Sequence, residues 1–229
     1  MIIVVMPAFN AEKTLEKTYA DIPKGKVDKI ILGDDGSTDR TVEIALRLGI
    51  EVLRTPRNLG YGANQKMLYR AALGRGADVI VMLHPDWQYD ATKIPDMVQP
   101  ILEGKKDFMM GSRIAEAEAG GMPLYKLISN RFLSWVEERT FGLGLSEYHS
   151  GFRAFRREVL ETIPFASNSD DFVFDTEVLG QVALNKFRAG EINVPCRYFP
   201  EASEIDFWRS TVYGLQTIWV CVKYMFARR

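Results

Sequence analysis

The sequence predicts an α/β fold with a mostly parallel central sheet flanked by helices. Three observations carry that expectation. Short apolar runs alternate with segments of helical periodicity over roughly the first half of the chain, which is the pattern of βαβ units. Polar residues follow each apolar run. The 229 residues are 47% hydrophobic and 26% charged, enough to bury a core without disulfides or structural metal.

Taken in order, the run Ile2 to Met6 is closed at once by Pro7 and reads as a buried first strand. It is too short for a secretory leader. A helix is expected over Ala11 to Ala20, a strand over Val27 to Leu32 and a helix over Asp39 to Leu48. Ile50 to Leu53 and Val79 to Leu83 read as two further strands, with a helix from Tyr61 to Leu73 between them. Parallel strands need such crossovers, and their helices cover both faces of the sheet. A linker rich in Ala, Glu and Gly (Ala115 to Gly121) opens the second half. It is followed by a helix from Pro123 to Phe141, a loop around His149, a helix after Asp175 and a strand at Glu191 to Val194.

Charge excludes one broad class of partner. Lys and Arg total 29 against 30 Asp and Glu, a net charge of -1, so there is no basic field to favour nucleic acid. Any anion must be held by local groups. The two cysteines, Cys196 and Cys221, have neither metal-ligand nor disulfide spacing, which fits a reducing, cytoplasmic compartment. No window reaches the length of apolar sequence a spanning helix requires.

In a parallel sheet, ligands bind outside the carboxyl ends of the strands, so the residues just after each strand carry the chemistry. Asp34-Asp35-Gly36-Ser37-Thr38-Asp39 is a strand end, a turn and a helix start. Asp39 or Ser37 would cap the helix at Thr41, which leaves two adjacent carboxylates able to accept hydrogen bonds from a ligand such as a nucleobase. Arg57-Asn58-Leu59-Gly60-Tyr61-Gly62-Ala63-Asn64 sets a cation and two glycines before a helix. It is not a dinucleotide fingerprint, because Gln65 stands where a third Gly or Ala belongs, and the chain has no P-loop. His84-Pro85-Asp86-Trp87-Gln88 presents imidazole, carboxylate and amide at alternate positions, so all three side chains can face one way. These are donors for a divalent cation that bridges to phosphate, Mg²⁺ or Mn²⁺, although each also reads as an ordinary loop residue.

The ordered set of these motifs, with Met6 to Glu12, Gly111-Ser112-Arg113 and Ser150-Gly151-Phe152-Arg153, resembles family 2 glycosyltransferases, nearest the dolichol-phosphate mannose or glucose synthase-like branch. The resemblance covers about residues 1–200. It implies a GT-A (Rossmann-like) fold, an inverting mechanism, a UDP- or GDP-linked sugar donor, a divalent metal and a polyprenyl (dolichyl) phosphate or glycan acceptor. Carried over by residue, it implies donor binding by Pro7, Phe9, Asn10, Glu12, Asp34, Asp35, Arg57, Gly60, Asn64, Asp86 and Arg113. It implies metal binding by His84, Asp86 and Gln88, and acceptor binding by Arg113, His149, Ser150 and Arg153. The family usually has Asp-x-Asp where this chain has His84-x-Asp86. Imidazole is the softer donor, so a shift of preference from Mg²⁺ toward Mn²⁺ is expected. Where the family carries Asp-x-x-Ser-Gly, this chain has Glu147, with His149 as a novelty.

A guanidinium fork suits a bidentate grip on phosphate, so Arg113 and Arg153 are expected to hold diphosphate or acceptor phosphate. Asp86 and Arg153, with Asp175 and Glu177, form the expected catalytic set. Inversion needs one in-line displacement. A phosphate acceptor arrives ionised, whereas a sugar hydroxyl needs a base, for which Asp175 and Glu177 are the candidates. The chain divides into a nucleotide-sugar and metal half (1–115), an acceptor half of the same domain (116–200) and a terminal helix (201–229). In that helix Trp208, Val212, Leu215, Trp219, Val222 and Phe226 form one apolar face, opposite a narrow stripe of Arg209, Gln216 and Lys223. Such a helix must be covered by the catalytic body, by a second subunit as a homodimer, or by peripheral contact with the inner face of a membrane, with Arg228 and Arg229 near headgroups.

Overall fold

Alternate side chains of the first strand enter different cores. Ile3 and Val5 pack on one face of the sheet, while Val4 and Met6 pack on the other. A strand buried on both faces reads as a continuous apolar run, and its neighbours must then be parallel strands covered by helices. The computed structural model, which describes residues 1–116, 122, 124–197 and 207–227, has this architecture.

Seven strands form one sheet. They are β1 (Ile2–Ala8), β2 (Lys29–Asp34), β3 (Glu51–Arg54), β4 (Val79–Met82), β5 (Phe108–Ser112), β6 (Arg153–Arg156) and β7 (Ala189–Asn193). Their order is β3-β2-β1-β4-β6-β5-β7, and every pairing is parallel except those of β6, which runs antiparallel to both β4 and β5. The first core holds helix α3 (Tyr61–Gly74), α6 (Arg157–Thr162) and α7 (Phe174–Leu184) against the sheet. The second holds α1 (Leu15–Asp21), α2 (Thr41–Arg47) and α4 (Ile94–Leu102). Helices α5 (Leu124–Phe141) and α8 (Phe207–Ala227) pack on each other and, with α7, close one end of the first core.

The expected α/β class holds, with local differences. The first helix starts only at Leu15, because Ala11 O accepts from Thr14 N and Leu15 N in a tight turn that precedes it. The strands β5 and β6 were not anticipated. In β6, Arg-Ala-Phe-Arg carries too few apolar residues to read as buried, yet Arg153 is 1% exposed.

The terminal helix meets the body through Val220, Cys221 and Tyr224, and Tyr224 Oη donates to Glu177 O at 3.2 Å. Leu215, Trp219 and Phe226 remain exposed. Pro123, most of the Ala115 to Gly121 linker, Arg228, Arg229 and the Trp208 side chain lie outside the described residues. No helix among the described residues is long and apolar enough to cross a membrane.

Candidate functional site

The sheet order places β1 between β2 and β4, so the chain moves off in opposite directions from β1 and β4. A crevice opens at such a switch point, outside the carboxyl ends of the two strands. Two cavities meet there. The first, about 930 Å³, is lined by Pro7, Phe9 and Asn10 after β1, by Asp35 after β2, by Asn58 to Tyr61, by Asn64 and by the loop from Ser169 to Phe172. The second, about 500 Å³, lies between α5 and α8, with Tyr125, Phe132, Leu133, Leu215 and Ile218 in its wall and Arg113, Lys126 and His149 among its polar groups. Tyr61, His84, Asp86 and Phe172 line both.

The expected donor residues divide. Asp35 lines the first cavity and organises its rim, because its carboxylate accepts from Leu59 N at 2.8 Å, Gly60 N at 3.0 Å and Thr55 Oγ1 at 3.0 Å. Gly60 has φ 106, and a Cβ there would stand 2.5 Å from Asp170 O, so this rim admits only glycine. Asn10 also sits in the left-handed region, at φ 53, and its Oδ1 accepts from Thr38 N. Asn64 donates to Gly33 O, and its Oδ1 has no protein partner.

Three of the expected donor residues lie outside the first cavity wall. Asp34 is fully buried, bonded to Ser37 N and paired with Arg54 Nε at 3.2 Å, and it does not line the cavity. Glu12 turns instead to Arg40 N. Arg57 is exposed outside the cavity wall.

At the junction, Asp86 is 8% exposed and its Oδ1 accepts from Gln88 N at 3.0 Å. Burial pushes its pKa up, so the anion is costly unless a cation stands beside it. Burial pushes the His84 pKa down, which leaves a neutral imidazole able to donate a lone pair. With the Gln88 amide in the wall of the second cavity, these groups are a mixed N/O set whose chemistry would suit a divalent cation. Among the described residues no group of three or more His, Cys, Asp and Glu side chains is gathered to hold a metal unaided.

In the second cavity, Arg113 is held by Glu147, with Nε 2.8 Å from Oε1 and the backbone amide 2.6 Å from Oε2. Burial alone would raise the Glu147 pKa, but the Arg113 charge and its hydrogen bonds outweigh it and hold the carboxylate ionised. Arg113 also lies over the Tyr89 ring at 5.6 Å. His149 reaches Tyr213 Oη through Nδ1 at 2.8 Å and Glu137 Oε2 through Nε2 at 3.0 Å.

Several of the other expected site residues are engaged by the protein itself. Arg153 lines neither cavity; it lies beneath the junction with Nη1 2.5 Å from Asp175 Oδ1. Ser150 is fully buried and donates to Gly111 O. Glu177 lines neither cavity and accepts from Ser169 N, in the loop that walls the first. Asp175 does line the second cavity, but Tyr61 Oη at 3.0 Å, Gln65 Nε2 at 2.9 Å and Arg153 already occupy its oxygens.

Sequence reasoning missed Tyr61, Lys126, Phe172, Arg209 and Tyr213, all of which line a cavity. Arg209 had been placed on a polar helix stripe, and its role in the first cavity wall follows only from where α8 docks. Tyr61 sits inside the glycine-rich string, where its aromatic type was the one available signal.

Comparisons with known proteins give the family and the fold. The family model described as "Glycosyl transferase family 2" matches residues 3–164. The UDP-N-acetylglucosamine–dolichyl-phosphate N-acetylglucosaminyltransferase of Methanococcus voltae is 27% identical, over 86% of this chain and 86% of that one. A dolichyl-phosphate hexose transferase of Haloferax volcanii is 27% identical, over 96% of this chain and 93% of its own length. Among solved structures, glucosyl-3-phosphoglycerate synthase of Mycobacterium tuberculosis, in complex with Mn²⁺, UDP-glucose and phosphoglyceric acid, superposes with a TM-score of 0.76 at 22% identity, over 98% of this chain and 79% of that one. That likeness supports the GT-A-like fold.

Proposed function

Because the chain belongs to glycosyltransferase family 2, we propose that it moves a hexose, with inversion, from a UDP- or GDP-linked donor to a polyprenyl phosphate. The donor occupies the first cavity, with its base against Asp35 and the Phe9 side and its diphosphate at Asp86. The acceptor phosphate occupies the second cavity beside Arg113, with the lipid between α5 and α8. The reaction takes place at the cytoplasmic face of a membrane, which the protein meets peripherally.

The observation that carries this reading is the lining of the second cavity. Its wall is largely apolar, it holds Arg113 and Lys126, and the carboxylates in its lining are Asp86 and Asp175. Asp175 is already bonded by three side chains. An acceptor that needed deprotonation would require an unengaged base, but His149 is held by Tyr213 and Glu137, and Asp86 and His84 are assigned to the cation. A phosphate monoester, by contrast, arrives as an anion and needs only positioning. Arg113, preset by Glu147, supplies a fixed positive group near the attacking phosphate oxygen. Mn²⁺ or Mg²⁺ held by Asp86, His84 and Gln88 would stabilise charge on the leaving diphosphate.

The test is transfer of radiolabelled sugar from a panel of UDP- and GDP-hexoses with Mn²⁺ or Mg²⁺. One arm supplies a short polyprenyl phosphate in detergent, the others a free saccharide or a small phosphorylated hydroxy acid. Label in the organic phase only with the polyprenyl phosphate is expected. Label transferred only to the water-soluble acceptors would replace the lipid reading, and nucleotide-sugar binding without any transfer would leave a binding protein.

A further inference from the structure

Tyr61 Oη stands 3.0 Å from Asp175 Oδ2 and 3.1 Å from His84 Nε2. The hydroxyl has one hydrogen and two neighbours that compete for it. The charges beneath decide the competition. Arg153, buried and always protonated, lies 2.5 Å from Asp175 Oδ1. Gln65 Nε2 donates to the same oxygen at 2.9 Å, and the orientation of that amide is fixed because Tyr69 Oη donates to Gln65 Oε1 at 2.6 Å. Asp175 is therefore an acceptor on both oxygens, and the Tyr61 hydrogen goes to Oδ2. What the phenol oxygen offers His84 is a lone pair, so Nε2 must bring the hydrogen.

We propose that Tyr61 is a positioning residue for His84, and that the Arg153–Asp175–Tyr61 chain fixes the imidazole as the Nε2–H tautomer with its lone pair on Nδ1. Among the described residues no protein group bonds Nδ1, which is the nitrogen left for a ligand. The ring is also confined. The Tyr61 and His84 rings lie nearly parallel, 7° apart with centroids at 5.5 Å, and a Cβ on Gly151 would fall 2.3 Å from His84 Cδ2 and 2.4 Å from Nε2. The glycine of the Ser-Gly-Phe-Arg motif thus makes room for the imidazole.

The arrangement answers a need peculiar to this chain. A carboxylate at position 84 would offer lone pairs from either oxygen in any orientation, but an imidazole offers one, and only in one of two tautomers. A histidine in that place works as a donor-side ligand only if something outside the cation's reach sets its proton. The purpose of the relay rests on the glycosyltransferase reading, but the tautomer does not. Failure of the tautomer test and failure of the transfer assay are therefore separate results.

The chain has two histidines, so a ¹⁵N-histidine spectrum of the whole protein contains two ring systems. Long-range ¹H–¹⁵N correlation at pH 8, above the ordinary histidine range, reports which nitrogen of each ring carries the proton. Comparison with His84→Gln assigns them. The expected wild-type result is a single His84 tautomer, pyrrole-like at Nε2 and pyridine-like at Nδ1. In Tyr61→Phe that pattern should give way to a mixture of tautomers, while His149 keeps its signals. A wild-type His84 protonated on Nδ1 would overturn the proposal by itself, whether or not Tyr61→Phe folds. So would an unchanged His84 pattern in a folded Tyr61→Phe protein.

Discussion

Arg153 shows how a motif residue can be legible while its task is not. The Ser-Gly-Phe-Arg string marks it as a phosphate ligand by type and place, yet β6 carries its side chain inward to Asp175. The same limit separates Asp34 from Asp35. Both stand where β2 surfaces, but one is buried and pairs with the exposed Arg54 while the other holds the rim of the cavity. Sequence tells which residue types stand at a strand end. It does not tell which of their lone pairs the chain itself consumes, and that is set by loops that fold back from distant positions. Removing one partner of a buried ion pair leaves the other charge uncompensated, typically at about 3–5 kcal/mol. Arg153→Ala is accordingly expected to lower the urea midpoint sharply while the acceptor KM of whatever protein remains folded stays near wild type. Arg113→Ala should instead raise the acceptor KM in a protein that still folds. A stable Arg153→Ala variant with a raised acceptor KM would restore Arg153 to the phosphate site.

Elements were read best where both faces of a strand are buried and worst where an antiparallel strand enters the sheet. The runs that became β1 to β4 are continuous enough to be seen, and the helices between them follow. Strand β6 is inserted between β4 and β5 from the other direction, and its ends are charged. What pins that region lies just outside the strands. Asp107, before β5, accepts from Arg188 Nε at 2.9 Å and Nη2 at 2.8 Å and pairs with Arg156 at 3.3 Å, so one carboxylate ties β5 to β7 and β6. The Arg188 fork, with smaller help from its backbone amide and charge and from Arg156, holds the Asp107 carboxyl down at about 2. A carboxyl depressed on folding contributes stability that is complete above its unfolded range near 4 and is lost as pH falls through about 2. The size is about 2 kcal/mol. Asp107→Asn should lose about that much at pH 7, and its urea midpoint should fall less steeply than wild type between pH 4 and 2.5. Parallel acid limbs for the two proteins would show that Asp107 is not the linked group.

At the scale of the molecule, the two cavities explain why one chain needs both a parallel-sheet half and a helical half. The sheet supplies a polar crevice, and α5 with α8 supplies an apolar slot that opens onto it. The residues around the mouth of that slot do not stop at its wall. Tyr125, Phe132, Leu215 and Ile218 line it and are themselves exposed, and the apolar surface continues over Ile128, Trp135, Trp219 and Phe226. The terminal periodicity makes α8 legible, and Phe132, Leu133 and Trp135 mark α5 as a helix that can share its role; the body covers one side of both helices and leaves the other bare. An acceptor with a polyprenyl tail would place this surface against a bilayer, where each large side chain transferred from water contributes about 1.5–3 kcal/mol. The wild-type protein should float with vesicles of phosphatidylcholine and phosphatidylglycerol. Leu215→Glu/Trp219→Glu should remain at the bottom of the gradient while keeping its nucleotide-sugar binding, since neither residue lines the first cavity. If a second copy covers the surface instead, wild type will sediment as a dimer and fail to float, the double variant will sediment as a monomer, and the membrane reading falls.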